Sequence, residues 1–153
     1  MESHYTATGL VLNAGHDEVL VVYHKKLQLW LPAGGHVEIG EMPHEAVVRE
    51  VFEETGINAR IINASQELSL ASKIEIQIPT PLFILHEHIP AYKDKAAHMH
   101  YDFIYAMEAE SDTCCVNEHE VEAVKWVTKE QLLTCRTTEA TCKMYCLLIK
   151  GSC

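Results

Sequence analysis

Residues 35–57 read GHVEIGEMPHEAVVREVFEETGI. The second half scans as a helix over 43–55. Pro43 suits the first helical position, where its missing N–H costs little, and Gly56 suits the residue just past the end. Arg49, Glu50, Glu53 and Glu54 crowd the last turns. Acidic side chains there meet the negative end of the helix dipole, and Glu50 and Glu54, four apart, repel by roughly 0.2–0.5 kcal/mol. At about 100° per residue the three glutamates share roughly 100° of arc. Val47, Val48, Val51 and Phe52 fill the adjoining arc as a predicted core stripe. Two readings compete for the acidic arc: a solvated face, or a seat for a divalent cation. Hard carboxylate oxygens suit Mg²⁺, which keeps several waters and bridges to phosphates. Arg49 can steer a glutamate from the flank, as an outer partner of a metal ligand does.

The spacing upstream decides between these readings. Gly35 is followed after five residues by Glu41, and after seven more by Arg49, Glu50, Val51, Phe52, Glu53, Glu54, Thr55, Gly56 and Ile57. This resembles the signature of the Nudix hydrolases, G-x5-E-x7-R-E-U-x-E-E-x-G-U with U bulky and aliphatic. Every specified position is filled, and the lead-in LPAGGHVEIGE is also similar to the family.

The resemblance implies an α/β protein with a Nudix-type α/β/α sandwich on a mixed β-sheet, formed by residues 1–153 as a single domain. It implies a hydrolase that cleaves a nucleoside diphosphate linked to another moiety, with Mg²⁺ as cofactor and Mn²⁺ as a substitute. By that similarity Glu50, Glu54 and the carbonyl of Gly35 would hold the metal, with Glu53 close by as ligand or base. Glu41 and Arg49 would form an internal ion pair of the box, with Gly56 as its structural stop. The general base varies in this family and can lie in a loop before a late strand. CVNEHEVEAVKW offers Glu118, Glu120 and Glu122 there, and Glu120 is preferred over Glu118 and Glu53. The family often dimerises, so a homodimer is among the expected partners, although no exposed apolar strip is evident in the sequence.

The rest of the chain fits one domain and one core at 153 residues. Predicted strands fall at 5–13, 18–24, 57–70, 81–89, 99–108 and 121–127, with a short one at 36–38. Helices are predicted near 128–134 and 138–149, the latter capped by Thr137 or Thr138. Acids outnumber bases 22 to 12, for a formal net charge of -10. A nucleic-acid grip needs a basic face, so the expected partner is a small nucleotide-type diphosphate. The N-terminus lacks a basic region followed by an apolar core, so no signal peptide is expected. No apolar run approaches the roughly 20 residues that span a bilayer. The expectation is a cytoplasmic protein with reduced thiols. Cys114, Cys115, Cys135, Cys142, Cys146 and Cys153 all lie in the last quarter of the chain. They read as small buried hydrophobes, with Cys142 and Cys146 as a weaker metal pair.

Alternation through HMHYDFIYAM puts His100, Asp102 and Ile104 on one face and Tyr101, Phe103 and Tyr105 on the other. The aromatic face is expected to be core. His100 and Asp102 are candidate substrate contacts, or else a hydrogen-bonded pair on a half-exposed strand. His86 and His88 share a face of another strand. Lys93 and Lys95 mark the loop 89–98 as a candidate phosphate contact, and Trp30 and Trp126 read as core or cleft-wall residues. Two other functions fit the fold. A non-catalytic nucleotide-sensing module is disfavoured because the box is intact. An isopentenyl-diphosphate isomerase is disfavoured because no cysteine precedes the 99–108 strand.

Overall fold

The computed structural model describes residues 1–62, 70–111 and 123–149. The strands are β1 (Ser3–Leu12), β2 (Glu18–His24), β3 (Leu29–Leu31), β4 (Ala33–His36), β5 (Ala59–Ile61), β6 (Phe83–Ile89), β7 (His98–Ala109) and β8 (Ala123–Thr128). The helices are α1 (Pro43–Thr55), α2 (Lys129–Thr134) and α3 (Glu139–Leu148). The eight strands among the described residues join one mixed sheet. β1 and β7 run parallel along ten residue pairs, from Ser3↔Met99 to Leu12↔Glu108. Every other pairing is antiparallel.

β1 and β2 touch at Leu12↔Val19 and then part. The chain turns back into the gap: β3 pairs with β2 and β4 pairs with β1, with Pro32 between them. Proline cannot donate to a ladder, so it breaks the strand where the chain changes partner. This fork brings Gly34 and Gly35 onto β1 opposite Thr8 and Ala7.

Alternation along β1 sends its side chains into two cores. Ala7 and Val11 meet Ala46, Val47 and Val51 of α1, with Tyr105 and Met107 of β7. Leu10 and Leu12 face the other way, with Ile104, toward Leu132 of α2 and Tyr145 of α3. The buried Tyr145 hydroxyl donates to the Leu20 carbonyl at 2.6 Å. Helices thus cover both faces of a mixed sheet, the α/β/α sandwich that the signature implied.

Several expectations need correction. The predicted strand at 36–38 is instead Ala33–His36, because pairing with β1 outweighs the poor strand propensity of two glycines. The 57–70 strand is confined to Ala59–Ile61 among the described residues. Val48 and Phe52 are 41% and 50% exposed rather than core. Relative to Val47 they lie about 100° and 140° round the wheel, whereas Glu54 lies only about 20° away on the other side. The buried stripe therefore runs through Val47, Val51 and Glu54. On β7, Tyr105 is buried but Tyr101 is 37% exposed, because α1 covers only the later part of that strand. Large apolar residues are also exposed singly at Leu70, Ile74, Ile76 and Ile84. Thr138 does cap α3, its hydroxyl accepting from the Thr141 N–H at 3.1 Å.

Candidate active site

The carboxylate cluster is built by α1 and the fork it packs against. Glu45 reaches back to accept the Met42 N–H at 2.9 Å, closing the helix N-terminus. Gly56 ends it in the left-handed region at φ 71°, with its N–H on the Phe52 carbonyl at 2.8 Å. Between these ends, Glu54 is 7% exposed. Its Oε1 accepts the Gly34 N–H at 2.9 Å. A buried carboxylate is tolerable when a donor faces it.

Glu50 lies against Gly35. A β-carbon there would sit 2.4 Å from Glu50 Cδ, so only glycine admits this carboxylate. Thus Gly34 and Gly35 face Glu54 and Glu50, the first through its N–H and the second through its missing side chain.

Arg49 ties the loop to the helix. Its Nε and Nη2 donate to the two oxygens of Glu41 at 2.8 and 2.9 Å, a bidentate fork. Nη2 also donates to the His36 carbonyl at 3.0 Å. Nη1 reaches Glu50 at 2.8 Å and Glu53 at 3.1 Å. The guanidinium hydrogen bond holds the Glu41 carboxyl below its ordinary range, and Glu41 in turn holds the Arg49 proton more tightly. One arginine thus contacts three carboxylates and one backbone carbonyl.

Gly35, Glu41, Arg49, Glu50, Glu53, Glu54 and Gly56 come together as one unit. Glu118, Glu120 and Glu122 lie outside the described residues, as do Cys114, Cys115 and Cys153. His100 and Asp102 lie on the opposite face of the sheet from α1. Asp102 is 6% exposed and accepts the hydroxyls of Thr6 and Thr8 at 2.9 and 3.0 Å. Burial pushes its carboxyl up, against the pull of those two hydrogen bonds. Thr8 is also the register partner of Gly34, so Asp102 and Glu54 brace opposite sides of the same backbone.

Sequence reasoning missed Thr6, Thr8 and the direct role of Gly34. The alternation of HYTAT marks the threonines as sharing a face, and the Gly-Gly pair was a visible signal for the third. Tyr92 and Lys95 exchange backbone hydrogen bonds at 3.0 Å, closing a tight turn in the 89–98 loop. Lys26 Nζ lies 3.9 Å from the Tyr92 ring centroid, which brings that loop beside the β2–β3 turn. Trp30 lines a pocket of about 440 Å³ with Tyr23, Lys25, Gln28 and Ala123. None of these belongs to the carboxylate unit.

Comparison with known proteins points to one family. A family model described as "NUDIX domain" matches residues 3–146. A putative 8-oxo-dGTP diphosphatase of Bacillus subtilis is 46% identical over 52 residues, 34% of this chain and 34% of that protein. A probable DHNTP pyrophosphohydrolase of Lactococcus lactis is 32% identical over 106 residues, 69% of this chain and 54% of that protein. The matches thus span about a third to a half of these curated relatives. A crystal structure of a NUDIX-family hydrolase from Clostridium perfringens superposes with a TM-score of 0.74 at 26% identity, covering 95% of each chain.

Proposed function

The chain belongs to the NUDIX domain family, and from that premise we propose that it is a Mg²⁺-dependent pyrophosphohydrolase. It would cleave a phosphoanhydride bond of a nucleoside diphosphate linked to another moiety. The observation that carries this reading is the gathering of Glu50 and Glu54 against Gly35 and Gly34. A hard, all-oxygen donor set built on a helix that a dipole argument disfavours fits a magnesium-type cation.

Glu50, Glu54 and the Gly35 carbonyl are the residues that would hold the ion. Bound there, it would neutralise diphosphate charge and acidify a coordinated water. Arg49 holds Glu50 and Glu53 in direction while Glu41 anchors Arg49, which preorganises the carboxylates before substrate arrives. A carboxylate takes the proton of the attacking water, and we assign this to Glu53 or Glu120. The water oxygen bonds to phosphorus as the bridging P–O bond breaks. The products are a monophosphate and a second phosphorylated fragment. Lys93 and Lys95 are assigned to outer phosphates, whereas His100 and the buried Asp102, on the sheet face away from α1, are left out of the substrate site.

The two curated relatives are named for 8-oxo-dGTP and DHNTP. Both names denote triphosphates, so a modified nucleoside triphosphate and a pterin triphosphate are the first compounds to test. The test is a panel of nucleoside di- and triphosphates and nucleotide sugars with Mg²⁺, the products being separated by chromatography. The reading expects a nucleoside monophosphate from at least one compound, and none once a chelator removes the metal. Nucleotide binding without any turnover would favour the sensing module instead.

A further inference from the structure

Outside the box, the described residues contain one group of three side chains that could share a metal: His4, His98 and His100. One ring nitrogen of each lies within 4.8 Å of the others. Parallel pairing of β1 and β7 produces it. His4 is the register partner of His100, and His98 lies two residues earlier on the same face. The ring centroids of His4 and His98 are 4.9 Å apart, as are those of His98 and His100.

The second nitrogen of each ring faces an oxygen. His4 Nε2 lies 3.2 Å from Glu2 Oε1. His98 Nδ1 lies 2.9 Å from the Ala96 carbonyl; a carbonyl only accepts, so this nitrogen carries the proton and leaves the lone pair on Nε2. His100 Nδ1 points toward Glu87 Oε2 at 3.7 Å. Two of the inner nitrogens are left bare. His4 Nδ1 and His100 Nε2 are both buried without a hydrogen-bond partner. Buried polar atoms are rarely left so. Metal-bound histidines characteristically give their outer N–H to a carboxylate or carbonyl while the inner nitrogen ligates.

We propose that His4, His98 and His100 form a second cation site, which takes Zn²⁺. An all-imidazole set suits zinc and disfavours magnesium, which demands oxygen. Zinc takes four ligands with Zn–N near 2.0–2.1 Å, so the three nitrogens must draw in to roughly 3.4 Å apart. Rotation of the three half-buried rings would have to close that distance. The fourth position is left to water or to His36, whose ring lies 5.3 Å from that of His4 and 5.2 Å from that of His100. The ion would pin the start of β1 to the start of β7. It would also lie beside His36, whose carbonyl accepts from Arg49, so occupancy would stiffen the frame that carries the box. The site does not depend on the proposed hydrolysis.

The test is a zinc titration of the full chain, first freed of metal by a chelator, in excess Mg²⁺ and against a competing chromophoric chelator. One zinc per chain is expected, with a rise in the thermal midpoint. His4→Ala and His98→Ala should each weaken binding about tenfold or more and abolish that rise. Glu50→Gln and Cys142→Ser should leave it unchanged. In the unmutated protein, imidazole nitrogen chemical shifts should report ligation through Nδ1 of His4 and Nε2 of His98 and His100. That reading needs no variant to fold. The proposal is overturned if no zinc binds, if binding survives both histidine changes, if it is lost in Glu50→Gln or Cys142→Ser, or if the three rings show no ligation.

Discussion

At the scale of single residues, Gly35 and Glu50 depend on each other's shape. A methyl group on Gly35 would lie 2.4–2.5 Å from the Glu50 carboxyl atoms, so Gly35→Ala must push that carboxylate aside. Displacement of a positioned group by about 1 Å can cost on the order of a hundredfold in rate. We expect Gly35→Ala to fold and to lose turnover by about that factor, measured as kcat/KM beside a thermal melt. A variant with full activity would show that Glu50 need not sit where it does. Gly34→Ala differs, because its β-carbon would meet the Ala7 carbonyl oxygen at 2.5 Å. Backbone cannot step aside as a side chain can, so this variant should lose about 1–3 kcal/mol of stability in urea unfolding. The sequence pattern marked Gly35 and all three glutamates. It did not show that Glu54 is buried, because a charged residue at a helix end reads as solvent-facing until the Gly34 N–H that meets it is known.

At the scale of elements, the arginine fork joins the 36–41 segment to α1. Arg49→Lys keeps the charge but replaces a planar fork with a point donor. It should keep only part of the contact to Glu41, His36, Glu50 and Glu53, and lose activity more than stability. Equal activity in Arg49→Lys would show that charge alone suffices. Gly56 holds φ 71° at the end of α1, so Gly56→Ala should cost about 1 kcal/mol in denaturant midpoint through backbone strain alone. The bounds of α1 were legible because proline, valine spacing and glycine all agree. β4 was not, because a strand of alanine, two glycines and histidine carries no propensity and exists only through its pairing with β1.

At the scale of the whole molecule, the sandwich class followed from the signature. The parallel pairing of β1 with β7 did not, since residues nearly a hundred positions apart give no local sign of their register. That pairing also gathers His4, His98 and His100. A further long-range tie is Glu108 on β7, which meets Arg60 of β5 at 2.6 Å and His16 from the β1–β2 turn. These partners hold its carboxyl below the ordinary 4.5, His16 first. A depressed folded value adds stability above about pH 4.5 that is lost as pH falls through the folded value. The midpoint of urea unfolding should therefore drop less steeply below pH 4.5 in Glu108→Gln than in the parent; parallel curves would show that the pair contributes nothing. If the Glu50 and Glu54 carboxylates carry metal-dependent cleavage of a phosphoanhydride, that dependence is read in kcat/KM with Mg²⁺, on the best nucleotide found, for the parent, Glu50→Gln and Glu54→Gln, each shown to be folded. A loss of about a hundredfold or more is expected in both variants. Turnover at the parent rate in either folded variant would contradict it.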